Sequence, residues 1–463
     1  MTEIGSKRQA RFDVVVVGAG PAGIASACIA AEEGLTVAVV ETTGRPGGQI
    51  WRLEQAASMP RQGRRWLSRF QASGARLLLG STAVAAPAAD VLLTESRQGP
   101  LEIRWKKLIL ATGARELLLP FPGWTLANVV GAGGLQVLVK AGWPVAGKRV
   151  VVAGSGPLLF SVAAGVRKAG AKVVVLAEQT SWLHLFGFGA FLPVLAPSKL
   201  IQAAEYQTRL LGVRYRPGCW PVSAQGRDQV ESVTLSTGSK TWTIPCDVLA
   251  CGFNLVANLE LPRLLGCRIV DGRVTVDPWQ ETSVPNVYCA GEPTGLGGVD
   301  RALIEGQIAG FAVTGQQDRA RRLFRSRGRA WMFSRTLDRG FALRQEVLHL
   351  ARPDTIVCRC EDVTLGQLQG YDRWRDARLH TRCGMGTCQG RICGGAVQAL
   401  FGWQTAAVRP PVFPTSIGAL ASAGEAVEHE SENRRNGETV NGRNGEDADR
   451  MASRAKPGGS PHS

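Results

Sequence analysis

The sequence predicts an α/β chain with two glycine-turned βαβ units in tandem and a small cysteine-rich domain behind them. Three observations predict it. Residues 14–17 are an apolar valine run that ends on Gly18-x-Gly20-x-x-Gly23. Residues 149–156, RVVVAGSG, repeat the strand-into-glycine pattern in mid-chain. Five of the eleven cysteines crowd between positions 358 and 393.

Each part of the first unit has a physical role. Gly18 permits a tight turn, Gly20 lets the backbone approach a pyrophosphate, and Gly23 lets helix and strand pack closely. Pro21 and Ala22 open a helix over 24–33, whose N-terminus offers unpaired N–H groups to phosphates. Small residues, Ala25, Ser26 and Ala27, let that helix lie on a sheet. The next strand, 35–40, ends on Glu41, placed to accept hydrogen bonds from ribose hydroxyls. Strand, turn, helix, strand and terminal acid together predict a bound dinucleotide. The loop 42–49, TTGRPGGQ, has no secondary structure of its own and brings Gly48 and Gln49 beside it.

Residues 60–75 read as a polar amphipathic helix, and 76–79, 91–94 and 101–105 as short strands of a meander. Residues 107–115, KLILATGAR, form a buried strand that breaks at Thr112-Gly113. Here the chain resembles the two-dinucleotide-domain flavoproteins of the disulfide-reductase type, which carry an ATG segment between the flavin domain and a second Rossmann-like domain. That second unit follows. Gly154 and Gly156 are present, Leu159 replaces the third glycine, and Pro157 opens the helix 158–168. The strand 171–176 runs out near Glu178, whose charge disfavours a 2′-phosphate. NAD(H) or an adenine nucleotide is the expected ligand, and a retained fold without ligand is the alternative.

The apolar, glycine-interrupted stretch 182–197 reads as core or interface, and 198–211 as a helix. Residues 284–298, VPNVYCAGEPTGLGG, return the chain to the first domain and feed a helix over 299–311. In the resembled superfamily this place carries Gly-Asp, whose carboxylate binds the flavin ribityl chain. Gly291 and Glu292 take that place here, with one methylene more. The helix that follows would stabilise negative charge on reduced flavin. The segments around Gly18, Thr112 and Glu292 are thereby expected to converge on one FAD.

The scattered cysteines, Cys28, Cys219, Cys246, Cys251, Cys267 and Cys289, read as small core residues. The crowded ones need a chemical reason. Cys358-x-Cys360 puts two thiolates on one loop, and TRCGMGTCQGRICG offers Cys383, Cys388 and Cys393, among which spacing alone does not choose. Four thiolates suit a zinc ion or a [2Fe–2S] cluster. The C-x2-C knuckles typical of zinc are absent, and zinc has no redox task beside a flavin. The segment resembles the bacterioferritin-associated-ferredoxin (BFD-like) type of [2Fe–2S] domain, whose closing signature GMG-x-CQG-x-x-C matches residues 384–393. That resemblance implies Cys358, Cys360, Cys388 and Cys393 as ligands, with Cys383 spare.

The order of parts, with CRCEDVT, CGMGTCQGRIC and the proline segment 409–414, resembles the alpha-type subunit of bacterial heteromeric amino-acid and opine dehydrogenases. That group spans octopine and nopaline oxidase, proline and hydroxyproline dehydrogenase, and cyanide-forming glycine dehydrogenase subunits. The resemblance covers about residues 12–420. It implies electron relay between FAD and the cluster. The implied partners are a respiratory acceptor, a beta-type flavin subunit that oxidises the amine, and a small ferredoxin-like subunit. The domains are then 1–120 with 247–315 for FAD, 121–246 for the second nucleotide, a connector over 316–352, the cluster domain over 353–420, and a disordered polar tail over 421–463.

Several classes are excluded. Net charge is +16 at 463 residues, yet Lys and Arg are dispersed. Their densest run, 319–344, alternates with Leu, Phe and Trp as an amphipathic connector does, so no nucleic-acid groove is expected. No apolar run reaches a membrane-spanning length, and the N-terminal residues lack a signal-peptide core. A cytoplasmic location follows, or a peripheral one at the inner membrane through the complex. No cysteine lies in 42–50 or 131–156, where disulfide reductases hold their redox pair. The catalytic residues stay unassigned, because the five histidines form no acid–base constellation. The remaining alternative is a self-contained NAD(P)H-dependent flavin/iron–sulfur oxidoreductase.

Overall fold

A computed structural model describes residues 8–51, 59–404 and 408–421. The tail expected over 421–463 lies outside these residues except at 421. The first sheet grows around Gln9–Val17, whose four valines are buried. A strand covered on both faces needs a continuous apolar run, and this one has it. It pairs in parallel with Val37–Glu41 and with Gly99–Leu110. Arg76–Leu79 extends the sheet beyond the first and Val287–Cys289 beyond the second, both parallel.

Gly99–Leu110 is one continuous strand where the sequence suggested two. Its first half is partly buried and pairs antiparallel with Val91–Ser96, which pairs in turn with Thr82–Ala88. Its last three residues, 108–110, are fully buried and receive Val287–Cys289. The meander is made of these three strands. Arg76–Leu79, expected in it, is a parallel edge strand, because the helix Arg61–Ala72 acts as a crossover that returns the chain in the same direction. The loop after Glu41 also differs slightly, closing with one helical turn, Gly48–Trp51.

The second sheet is wholly parallel, in the order Arg214–Pro217, Lys172–Glu178, Arg149–Ser155, Val248–Phe253, Val129–Gly131. The boundary placed at 247 is therefore corrected. Val248–Phe253 is fully buried between two strands of the second sheet, and the chain returns to the first domain only after it. The two chain crossings, Ala114–Glu116 and Leu255–Ala257, pair antiparallel with each other.

The helix Trp182–Leu195 has no buried residue, and Leu183, Phe186 and Val194 are each more than two-thirds exposed. The core reading of this stretch is overturned. The connector forms helices Gln317–Arg321 and Phe324–Gly340. Behind it, the hairpin Ile356–Cys358 with Val363–Thr364 and the helices Trp374–Thr381 and Cys393–Phe401 enclose a small core of Val357, Leu368, Trp374 and Val397. The proline segment runs back to the meander, where Val412 N–H donates to Val84 O at 2.8 Å and Phe413 packs on Val84 and Leu93.

Candidate functional site: a flavin cradle and a thiol cluster

Three strand ends meet in the first domain. Gly18 N–H donates to Val40 O at 2.8 Å, Ala111 N–H to Val17 O at 2.9 Å, and Ala290 N–H to Leu110 O at 3.0 Å. The turns at Gly18, Thr112-Gly113 and Gly291-Glu292 thus stand side by side. Gly18 has φ +106°, and a Cβ there would lie 2.3 Å from Ala111 O. Gly48 has φ +59°, and a Cβ on it would lie 2.9 Å from Gly20 Cα. The two glycine backbones therefore face each other across the turn. The helix Pro21–Glu32, which carries Pro21, Ala22 and Gly23 in its first turn, has no side-chain cap at its N-terminus. Its first N–H groups are left for an anion. A cradle of this shape fits the diphosphate of a dinucleotide.

Glu41 holds the turn from behind. One carboxylate oxygen accepts Ala19 N–H at 2.8 Å, and the other accepts Thr43 N–H at 2.8 Å and Thr43 Oγ1 at 2.7 Å. A carboxylate accepts about four hydrogen bonds, so capacity for a ribose hydroxyl remains. Gln49 lies in the helical turn Gly48–Trp51. Thr112 and Gly113 are gripped by Asn258. Thr112 Oγ1 donates to Asn258 O at 2.8 Å, Asn258 Nδ2 to Thr112 O at 2.8 Å, and Asn258 N–H to Gly113 O at 3.0 Å. Glu292 turns to its own chain and accepts Gly297 N–H at 3.1 Å and Gly298 N–H at 2.9 Å. It thereby caps the helix Gly298–Val313, and burial pushes its carboxyl up. The helix end that the sequence assigned to a reduced flavin thus carries a side-chain acceptor.

The second unit reproduces the device. Glu178 accepts Gly156 N–H at 2.8 Å and Thr180 N–H at 2.9 Å. Gly154, Ser155 and Gly156 are buried, whereas Gly18 and Gly20 are partly open. The chain itself closes on this turn: Ser155 Oγ donates to Phe341 O at 3.1 Å, and a Cβ on Gly154 would lie 1.9 Å from Gly252 O.

In the C-terminal domain the sulfurs of Cys358, Cys383 and Cys393 lie within 4.8 Å of one another, all buried. Gly384 N–H donates to Cys358 Sγ at 3.4 Å. Hydrogen bonds from the other two thiols hold Cys358 well below the ordinary thiol range, while the Cys358 sulfur and burial push Cys383 up. Cys360 is exposed and Cys388 half-buried, so neither stands in this group. Both lie on the loops that flank it, with Cys360 Sγ 3.8 Å from Thr387 Oγ1. The donor set is thiol throughout, which suits an iron–sulfur cluster or a zinc ion.

The thiol domain docks on the interdomain crossing. Arg115 Nε donates to Arg391 O at 2.8 Å and its Nη1 to Asn258 Oδ1 at 2.7 Å, and Nη1 pairs with Glu260 at 3.0 Å. Trp124 Nε1 donates to Ile356 O at 2.6 Å.

Residues 12–309 match the pyridine nucleotide-disulphide oxidoreductase family. The chain belongs to that family. Hydrogen cyanide synthase subunit HcnB of Pseudomonas protegens is 30% identical over 422 residues, 82% of this chain and 90% of that one. An opine oxidase subunit of Rhizobium meliloti (strain 1021) is 30% identical over 464 residues, 89% of this chain and 98% of that one. Among solved structures, L-proline dehydrogenase from P. horikoshii has a TM-score of 0.62 at 19% identity, covering 90% of this chain and 80% of its own. Thioredoxin reductase of T. acidophilum has a TM-score of 0.51 at 20% identity, over 66% of this chain and 99% of its own. These two show likeness of fold.

This member of the pyridine nucleotide-disulphide oxidoreductase family is an FAD-dependent oxidoreductase. Among the described residues its histidines form no acid–base set. His184 bonds Ser181, His349 bonds Gln345 O, and His380 stacks on Tyr371. No described helix is long and apolar enough to cross a membrane. The sequence reading missed Asn258 and Arg115, and also a buried pair, Arg301 and Glu305, joined at 2.7 Å. An i, i+4 Arg–Glu pair inside an apolar helix was its one visible signal.

Burial pushes the carboxyl of Glu178 up to about 7, against the pull of its two backbone donors. Between its ordinary value of 4.5 and that value, the native state holds a proton that the unfolded chain has released. Stability from this group therefore falls as pH rises through that window and is level above it. Glu178→Gln should flatten this fall. Thermal unfolding of both proteins at about pH 5 and about pH 7.5 checks it, and equal pH slopes would refute it.

Proposed function

We propose that the chain is the electron-relaying flavin subunit of a heteromeric dehydrogenase or oxidase. It would act on the CH–NH bond of an amino acid or opine, of the hydroxyproline, proline, octopine/nopaline or glycine class. FAD, when bound, accepts an electron pair and releases single electrons to a [2Fe–2S] cluster. The observation that carries this reading is the Arg115 bracket. Arg115 touches Asn258, which grips the Thr112-Gly113 turn of the flavin cradle. It also holds the carbonyl of Arg391, between Cys388 and Cys393. One side chain thus keeps the cradle and the thiol loop at a set separation, as a relay needs.

Further support comes from the relatives, which are themselves named as subunits. The proposed partners are a flavin subunit that oxidises the amine, a small ferredoxin-like subunit, and beyond them a respiratory acceptor. The exposed apolar helix Trp182–Leu195 suits such a partner. Lys199, which follows it, pairs with Asp300 at 3.2 Å in the first turn of the flavin-domain helix. Cys358, Cys360, Cys388 and Cys393 are the proposed cluster ligands. The absence of cysteines in 42–50 and 131–156 argues against disulfide reduction.

Anaerobic spectroscopy of the FAD-loaded chain tests the reading. An amine of this class together with the partner subunit should bleach the flavin, and NADH alone should not. Rapid bleaching by NADH would establish the self-contained reductase instead.

A further inference from the structure

Parallel α/β sheets bind ligands in the crevice outside the carboxyl ends of their strands. In the second domain that edge carries Ser155, Gln179 and Asn254, at or just beyond the ends of three adjacent strands, Arg149–Ser155, Lys172–Glu178 and Val248–Phe253. All three side chains bind one short stretch of this same chain. Ser155 Oγ donates to Phe341 O at 3.1 Å, and Asn254 Nδ2 donates to the same oxygen at 3.2 Å. Gln179 uses both ends of its amide. Its Nε2 donates to Ala342 O and to Ser155 Oγ, both at 3.0 Å, and its Oε1 accepts Arg344 N–H at 3.0 Å.

The contact is anchored by buried groups. Gln179 is fully buried, Ser155 4% exposed and Phe341 5% exposed. The Phe341 ring stands edge-on to Phe188 at 5.1 Å, and the Arg344 guanidinium lies over Trp220 at 4.8 Å. A buried amide with both ends matched to backbone groups selects one conformation of its partner, because either end left unmatched costs a desolvation penalty. Ser155, Gln179 and Asn254 stand at the carboxyl edge of the sheet, where a nucleotide in this crevice would lie.

We propose that the second dinucleotide crevice is a socket for the chain's own connector. Residues 341–344 lie across it as a strap that excludes NAD(H) and adenine nucleotides. Gln179 is the positioning residue that holds the strap. A second consequence follows from chain order. The strap runs on shortly to the hairpin strand Ile356–Cys358, so the socket sets where the thiol domain begins its approach to the flavin domain. The nucleotide fold is kept, and its ligand edge is used for assembly.

The test uses the full FAD-loaded chain, so that the first cradle is filled. Backbone hydrogen exchange is followed at residues 341–344, and 8-azido-ADP photolabelling is mapped by mass spectrometry. In the unmodified protein, label is expected to be absent from 149–180. In Gln179→Ala, exchange at Arg344 should quicken by about tenfold, and label should appear in 149–180. Three results would overturn the proposal: label on 149–180 in the unmodified protein, unchanged exchange in the variant, or a loosened strap without labelling. Should Gln179→Ala not fold, Asn254→Ala removes a single donor to Phe341 O and is read in the same way. These outcomes concern binding and protection only, so they are separate from whether NADH reduces the flavin.

Discussion

Glu305→Ala is expected to destabilise the flavin domain by about 3–5 kcal/mol, the range found when one partner of a buried ion pair is removed. Glu305 is fully buried and Arg301 3% exposed. The carboxylate serves four donors. It accepts Arg301 Nε at 2.7 Å, Gly291 N–H at 2.9 Å, Thr294 Oγ1 at 2.6 Å and Trp331 Nε1 at 3.0 Å. Alanine would leave the buried guanidinium without its carboxylate and would strip Gly291 N–H and Trp331 Nε1 of their acceptor, each with a desolvation cost, while Thr294 Oγ1 keeps Gly291 O at 2.9 Å. The loss also has a place. Gly291 and Thr294 frame Glu292, and Gly291 sits against Ala22 in the first turn of the cradle helix. The variant should therefore unfold at lower temperature and purify with less flavin per chain. Glu305→Gln keeps an acceptor and should fall between the two. Replacing both partners, Arg301→Met with Glu305→Leu, removes the unpaired charge and should recover part of the loss. Equal flavin content and unfolding temperature in Glu305→Ala and the parent would refute this account.

What the sequence revealed was local. The cradle was legible because its parts are contiguous: Gly18 to Gly23 make the turn, and Glu41 closes the next strand. Each residue type there answers to backbone geometry within one βαβ unit. The buried cysteines Cys28, Cys246, Cys251 and Cys289 were legible for a similar reason, since their apolar neighbours declare them. Long-range pairings were not. Asn258 meets Thr112 across 146 residues, and Arg115 meets Arg391 across 276, and no local pattern marks either. The parallel placement of Arg76–Leu79 depended on where its crossover helix packs. Residues 341–344 have no turn or ligand signature, and their role arises only from the strand ends they cross. The helix Trp182–Leu195, read as core or interface, was left open for a different reason. Apolar composition reports what a surface wants to touch, and it is silent on whether that partner lies in the same chain.

The largest spectroscopic effect should come from the thiols. Cys358→Ser and Cys393→Ser should each abolish bound iron and the visible iron–sulfur absorbance, because both belong to the proposed ligand set and to the buried trio. The discriminating pair is Cys383 and Cys388. Cys383 is fully buried with Trp374, Leu368 and Val397 around it, which is the setting of a small core residue. Its sulfur also lies within 4.8 Å of both Cys358 and Cys393, as close as three thiolates stand around a single tetrahedral ion. A cluster with two irons spreads its thiolates over two centres. The half-buried Cys388 and exposed Cys360, on the flanking loops, are free to supply the added breadth that a buried core position lacks. Gly386 packs against Cys360 so closely that a Cβ there would fall 2.3 Å from Cys360 Cβ, so the two loops already abut at the side where those thiols stand. Cys388→Ser and Cys360→Ser are therefore expected to lose the cluster, and Cys383→Ser to keep iron and acid-labile sulfide in equal amounts. The opposite result, loss in Cys383→Ser with retention in Cys388→Ser, would put the buried trio in the ligand set. Zinc in place of iron in the purified protein would remove the relay itself, since zinc carries no electron.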